Sequence, residues 1–224
     1  CIRDSVNTSR LLYQVNDGAC VVSAVYDKGV ALTAQSPYVS QAEMEGTAPS
    51  AGSYRVWQAG GYVRLGSTPA GQITCDAAQS SSAANHTAAQ ILKSIALKAG
   101  IASGSISSSD VTALDAANNA ELGIWLYGGG DTAQGAMDAI AVSVGAWYGF
   151  DSAGTLRMQR FESPSGTPVM DIDANIIIGT PELRSIGAAS DGAFYTRVEM
   201  QYLRNWTVQN DSDLAGSVTV ARKA

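Results

Sequence analysis

The sequence predicts an α+β fold: mostly antiparallel β-structure with an inserted helical block of about three helices. Three observations carry this. Residues 10–78 alternate in polarity and are broken by short Gly-containing turns. Residues 79–145 carry apolar positions at helical spacing between clear start and stop signals. Residues 146–224 return to strand-like runs. Strand runs interrupted by helices read as α+β rather than as a wound parallel sheet. The texture divides the chain into a β-rich region (1–80), an α+β subdomain (81–165), and a β-rich return that ends in a polar linker (166–224).

In the first region, residues 21–26 and 30–34 flank Asp27-Lys28-Gly29, a hairpin loop with Gly where positive φ is needed. Residues 54–58 and 62–65 flank Ala59-Gly60-Gly61 in the same way, with Tyr54 and Val56 on one face and Arg55 and Trp57 on the other. Residues 67–71 form a Pro/Gly turn, and 73–77 make a further strand. Residues 36–53 read as a long loop.

In the second region, Ala88, Ile91, Leu92, Ile95 and Ala99 line one face of a helix over residues 85–97, stopped by Gly100. Ser108-Ser109-Asp110 offers the N-cap of a second helix through about Asn118. Residues 122–127 read as a strand, and Gly128-Gly129-Gly130 releases the chain. Asp131 caps a third helix with Gln134 as its capping-box partner, and Ala136, Ile140, Ala141 and Val144 form its buried face. Residues 146–150 and 155–161 then flank a turn over residues 151–154. Further strand candidates are 169–172, 176–178, 196–203 and 206–209.

Composition narrows the function. The chain has 224 residues and a formal net charge of −6, and only 15% of it is charged. No Lys/Arg cluster exceeds Arg222-Lys223. Nucleic-acid binding rests on phosphate neutralisation, so sequence-specific nucleic-acid binding is not expected. No run of 18 apolar residues occurs, so membrane insertion is not expected either. Cys1, Cys20 and Cys75 are far apart and odd in number, against a disulfide framework. Cys20 and Cys75 read as buried small hydrophobes. The start at Cys1, without an apolar leader, reads as an internal piece of a longer chain.

No catalytic set is expected. His86 is the single histidine and reads as a solvent-exposed helix-start residue. No G-x-S-x-G elbow occurs. The pairs Glu43/Glu45 and Asp171/Asp173 lack the apolar pocket that raises a catalytic acid's pKa. Asp171, Asp173, Asn175 and Glu182 follow calcium-loop spacing, but Ile176 stands where that loop needs Gly. A weak ion site at Asp171/Asp173 is the most this pattern offers. Gly128-Gly129-Gly130 lacks the Lys of a phosphate loop. No metal site and no cofactor are therefore expected. Trp57, Trp125, Trp147 and Trp206 all fall in strand candidates and read as core or interface.

The runs YDKGVALT (26–33) and GYVRLGSTPAGQITCD (61–76) resemble hairpins of tail-tip hub proteins of tailed bacteriophages, of the siphophage-like prophage kind. The middle of the chain resembles the helical insert of the same family. A helix ending in Ala-Gly (91–100) precedes GIWLY (123–127), a Gly-rich turn and a helix (133–144), and then WYGFD (147–151) and LRM (156–158) follow. RNWTV (204–208) resembles the family's closing strand. The resemblance spans roughly residues 20–210. It implies a non-enzymatic structural component of a tail tip or baseplate hub, joining the tail tube to a distal fibre or spike. It also implies a homo-oligomer, a trimer or hexamer ring, with other tail proteins as partners. The location implied is the virion tail tip, or the bacterial cytoplasm during assembly. The alternative is a host-receptor or glycan-binding adhesin module of a tail fibre. No catalytic residue is carried over, because the matched runs are turns, caps and strands.

Overall fold

A computed structural model describes residues 4–126, 130–162, 167 and 204–218. By contacts the chain divides into one unit of Cys1–Phe161 with Trp206–Ala224, and a second of Glu162–Asn205. Almost all described residues belong to the first. The fold is α+β, with mixed sheets that are mostly antiparallel.

Two sheets build the N-terminal part of the first unit. One holds β1 (Asp4–Asn7), β2 (Leu12–Gln14), β5 (Thr33–Ala34), β6 (Ser53–Trp57) and β7 (Tyr62–Leu65), in the order β1-β2-β7-β6-β5. Only the β5–β6 pairing is parallel. The other holds β3 (Val21–Asp27), β4 (Val30–Ala31) and β8 (Ile73–Ala78), in the order β4-β3-β8. Alternation sets their facing surfaces. Tyr54 and Val56 on β6 and Val63 and Leu65 on β7 are buried together with Val22, Val25, Ile73 and Cys75 of the other sheet.

The β3–β4 hairpin turns on two residues, Lys28 and Gly29, with φ of 50° and 79°. Positive φ at both positions is the turn whose twist matches the strands. Asp27 ties this hairpin to the turn before β8: its carboxylate accepts from Ala70 N (2.7 Å) and Gly71 N (2.9 Å).

The helical block follows. α2 (Ala88–Lys98), α3 (Ser108–Ala117) and α4 (Ala133–Ser143) surround a second core. It is built from Leu92, Ile95, Val111, Leu114, Met137 and Ile140, with Leu156 and Met158 from the hairpin of β9 (Ala146–Phe150) and β10 (Leu156–Arg160). The expected face of α4 is in place, with Ala136, Ile140, Ala141 and Val144 buried. Of the expected α2 face, Ala88, Leu92 and Ile95 are buried and Ile91 is half-buried, but Ala99 is exposed, because α2 ends at Lys98 and Ala99 is its C-cap. Among the described residues no helix is long and apolar enough to cross a membrane.

Several expectations need correction. The stretch 36–53, read as a loop, contains a helix, α1 (Gln41–Gly46), capped by Ser40. Residues 122–126 form no strand; Leu122 N donates instead to His86 O (2.8 Å). α3 is capped by Ser107 rather than by the Ser108-Ser109-Asp110 run, and α4 by Thr132 rather than Asp131, Gly135 N donating to the Thr132 hydroxyl (3.0 Å). Residues 206–209 form no strand. The polar tail is no loose linker up to residue 218. Ala215 N donates to Lys28 O (2.9 Å), and the side chains of Leu214 and Val218 lie over Gly29. Residues 128 and 129, the strand candidates 169–172, 176–178 and 196–203, and the possible ion site at Asp171/Asp173 lie outside the described residues.

Candidate functional site

Among the described residues, three polar clusters and one unpaired strand edge are candidate places of action. The first cluster sits on the outer face of the β6–β7 pair. Arg55 and Arg64 are directly opposite each other across the strands. Like charges in that position repel, and the 36–53 excursion supplies acceptors to both, a carboxylate to Arg55 and backbone carbonyls to Arg64. Glu43 of α1 pairs with Arg55 at 2.6 Å, and the guanidinium also lies 3.8 Å over the Tyr38 ring. Arg64 is buried and donates to Met44 O (2.5 Å) and Glu45 O (3.1 Å), carbonyls at the C-terminal end of α1. Glu45 accepts from Arg10 (3.1 Å) and Gln41 (2.8 Å).

The Glu43/Glu45 pair is therefore a set of counter-ions. The Val39 backbone N–H, then Arg55, hold the Glu43 carboxyl below the usual range. Gln41, then Arg10, do the same for Glu45. A general acid needs the opposite shift.

The second cluster surrounds His86. It is half-buried rather than exposed, because the chain folds back over it. Its Nε2 is 2.9 Å from Ser80 O and its Nδ1 3.5 Å from a Glu121 carboxylate oxygen. Beside it, Thr87 donates its hydroxyl to Asp115, which also accepts from Gln90 (2.6 Å). These contacts fasten the start of α2 to α3. No nucleophile approaches His86 in them. Next to this cluster lies an open groove of about 300 Å³ lined by Gln79, Ser80, Asn85, Gln90, Lys93, Ser94 and Leu97. Its Gln79 and Ser94 side chains bond each other, and Asn85 bonds Ser80.

The third cluster clasps α3 to the β9–β10 hairpin. Asp110 is buried and accepts from Arg157 twice, at 2.6 and 3.1 Å, and from Met158 N at 3.2 Å. Arg157, then the Ser107 hydroxyl and the Met158 N–H, hold its carboxyl low against the opposing pull of burial. Sequence reading assigned Asp110 to the cap; its partner is 47 residues away, and no local pattern announces it.

The cysteines behave as expected. Cys20 and Cys75 are buried and not disulfide-bonded, and burial pushes the Cys20 thiol up to about 11. A thiol so shifted is inert at neutral pH. Among the described residues no group of three His, Cys, Asp or Glu side chains is placed to hold a metal ion.

The tryptophans depart from the expectation that all four lie in strands. Trp57 and Trp147 lie in strands, Trp125 and Trp206 do not, and none is fully buried. Trp57 stacks on Tyr62 with centroids 5.9 Å apart. Trp147 is 38% exposed, on the outer face of the β9–β10 hairpin, and Phe150 (61%) and Phe161 (72%) are exposed nearby in the chain. Among the described residues nothing pairs with the outer edge of β9. The chain matches no protein-family model, no curated protein and no solved structure.

Proposed function

We propose that this chain is a non-enzymatic structural subunit of a phage or prophage tail tip, a hub component that joins tail tube to fibre or spike. It would reside in the virion at the distal end of the tail, and in the bacterial cytoplasm during assembly. The observation that carries the reading is where the polar and apolar groups are used. The acids singled out as catalytic candidates, Glu43 and Glu45, serve as counter-ions that lock α1 onto a sheet. Among the described residues, three of the four exposed large aromatic side chains, Trp147, Phe150 and Phe161, lie instead on β9 and just after β10, where a neighbour can use them, while the exposed aliphatic groups are scattered. The runs that resemble tail hubs are the joints of this framework: the Lys28-Gly29 hairpin, the β7-to-β8 connection held by Asp27, and the β9–β10 hairpin.

Two measurements test the reading. Gold-labelled antibody against the chain should mark the distal end of assembled tails. Light scattering on the full-length protein should give a closed trimer or hexamer, as a tube end requires. Label along fibres, with a monomer that binds host glycans in solution, would replace the hub by the adhesin. Release of muropeptides from cell wall would contradict the non-enzymatic reading.

A further inference from the structure

The two edges of the β9–β10 hairpin are treated differently, and hydrogen-bond parity shows how. Asp151 N donates to Thr155 O (3.0 Å) at one end of the hairpin, and Phe161 N to Gly145 O (2.8 Å) at the other. Facing residues of an antiparallel pair alternate between bonded and non-bonded. The register Leu156↔Phe150 through Arg160↔Ala146 then makes Trp147/Gln159 and Gly149/Arg157 the bonded pairs. The backbone groups of Leu156, Met158 and Arg160 point away on one side, and those of Ala146, Tyr148 and Phe150 on the other. The β10 edge is covered: Leu156 O accepts from Ser107 N (3.0 Å) and Met158 N is held by Asp110. Among the described residues the backbones of Ala146, Tyr148 and Phe150 have no partner. β9 also carries none of the devices that usually protect an edge, neither charge nor proline nor bulge.

We infer that β9 is a self-pairing edge, and that a second copy of this chain is its occupant, the two β9 strands running antiparallel about a two-fold axis at Tyr148. The size pattern of Ala-Trp-Tyr-Gly-Phe argues for that occupant. Centring the axis on Tyr148 sets Ala146 against Phe150 of the second copy and Trp147 against its Gly149. Every large side chain off the axis thus meets a small one. Trp147 and Gly149 lie on the outer face, in the non-bonded pairs across the new seam, where side chains approach closest. A Cβ built on Gly149 meets nothing within 4 Å, so the space that an incoming indole needs is open. Aromatic side chains laid over a facing strand's glycine are a known way to pin register. The isologous geometry gives up to about six new backbone bonds. Two such edges bury less than the roughly 1,200–2,000 Å² of a standard interface, so micromolar association is expected. This two-fold contact does not depend on the tail-tip reading, since a cyclic trimer could form without it.

The test is sedimentation of the 224-residue chain over a concentration series, beside Gly149→Val and Tyr148→Cys. The wild type should show a monomer–dimer equilibrium. Gly149→Val should shift it at least about tenfold toward monomer, with an unchanged or raised thermal midpoint, because the new side chain blocks only the partner's Trp147. Tyr148→Cys should form an intermolecular disulfide on mild oxidation, because bonded partners sit about 5.5 Å apart between Cα atoms, within disulfide reach. A monomer at every concentration overturns the inference. So does an oligomer indifferent to Gly149→Val and not trapped by Tyr148→Cys. Slow amide exchange at Ala146, Tyr148 and Phe150 in a monomer would assign the edge to another segment of the same chain, which overturns it too. A trimer or hexamer unaffected by both variants would leave the hub reading standing and remove only this one.

Discussion

The two edges of one hairpin make an instructive contrast. The β10 edge receives a buried aspartate and the cap residue of a helix: Met158 N is taken up by Asp110, which Arg157 of β10 also grips, and Leu156 O by Ser107 N. The β9 edge, on a strand that starts ten residues earlier in the chain, receives nothing from the described residues, although it is the more apolar of the two. Backbone polar groups are costly when buried without a partner. The β10 edge therefore has to be internal and finished within the chain. The β9 edge remains in water or waits for a neighbour. The difference separates what holds this molecule together from what it can offer to another.

Cutting the clasp should produce the largest effect. Asp110→Ala leaves Met158 N without its acceptor and frees Arg157, at an expected cost of about 3 kcal/mol in urea unfolding. Arg157 is 39% exposed at its side chain, which screens the pair and argues against a larger figure. A loss below about 1 kcal/mol would mean that α3 is held by its apolar face alone.

The same clasp carries a pH signature. The folded carboxyl of Asp110 titrates below its unfolded value, and Asp151 is held low by the Thr155 N–H first, with Arg157 contributing. Groups of this kind stabilise the fold above the unfolded pKa, near 4, and lose that contribution as pH falls through the folded value. Stability should thus decline below about pH 4. The acid limb should be shallower in Asp110→Asn, and parallel limbs in the two proteins would exclude Asp110 as its source.

Much of this contrast was not legible from sequence, for a physical reason. Period-two alternation located β6 and β7, and period 3.6 located the buried faces of α2 and α4, because each signal is local and repeated. α1 was missed: a six-residue helix shows less than two turns of pattern, and what fixes it is a pair of arginines on strands beyond it. The run 122–126 was apolar enough for a strand, but its backbone is drawn to His86 at the start of α2 instead, a long-range choice that no local pattern announces. Asp110 and Asp131 both had the chemistry of a cap. The choice of Ser107 and Thr132 instead rests on one-residue differences in where helical dihedrals begin. The composition of β9 was visible, but its bareness was not, since that depends on what α3 chose to cover.

A milder cut on the finished edge is Ser107→Ala. It removes the hydroxyl that caps α3 at Asp110 N and should cost about 1 kcal/mol, while the backbone bond to Leu156 O survives. A loss comparable to that of Asp110→Ala would show that the cap and the clasp act as one unit.

The smallest expected effect has the opposite sign and sits on the bare edge. Glycine inside a strand weakens it, through the entropy of the unfolded chain and the missing side chain. At Gly149 nothing in the monomer asks for glycine: a Cβ there has open space, and no positive φ is recorded at this position. Gly149→Ala should therefore stabilise the monomer, by about 0.5 kcal/mol in dilute denaturant titration. If it destabilises by more than about 0.5 kcal/mol, the strand needs glycine for its own sake and the contrast between the edges weakens. If it stabilises as expected, the monomer bears a cost at Gly149 that its own packing does not explain, and the explanation has to lie on the far side of the β9 edge.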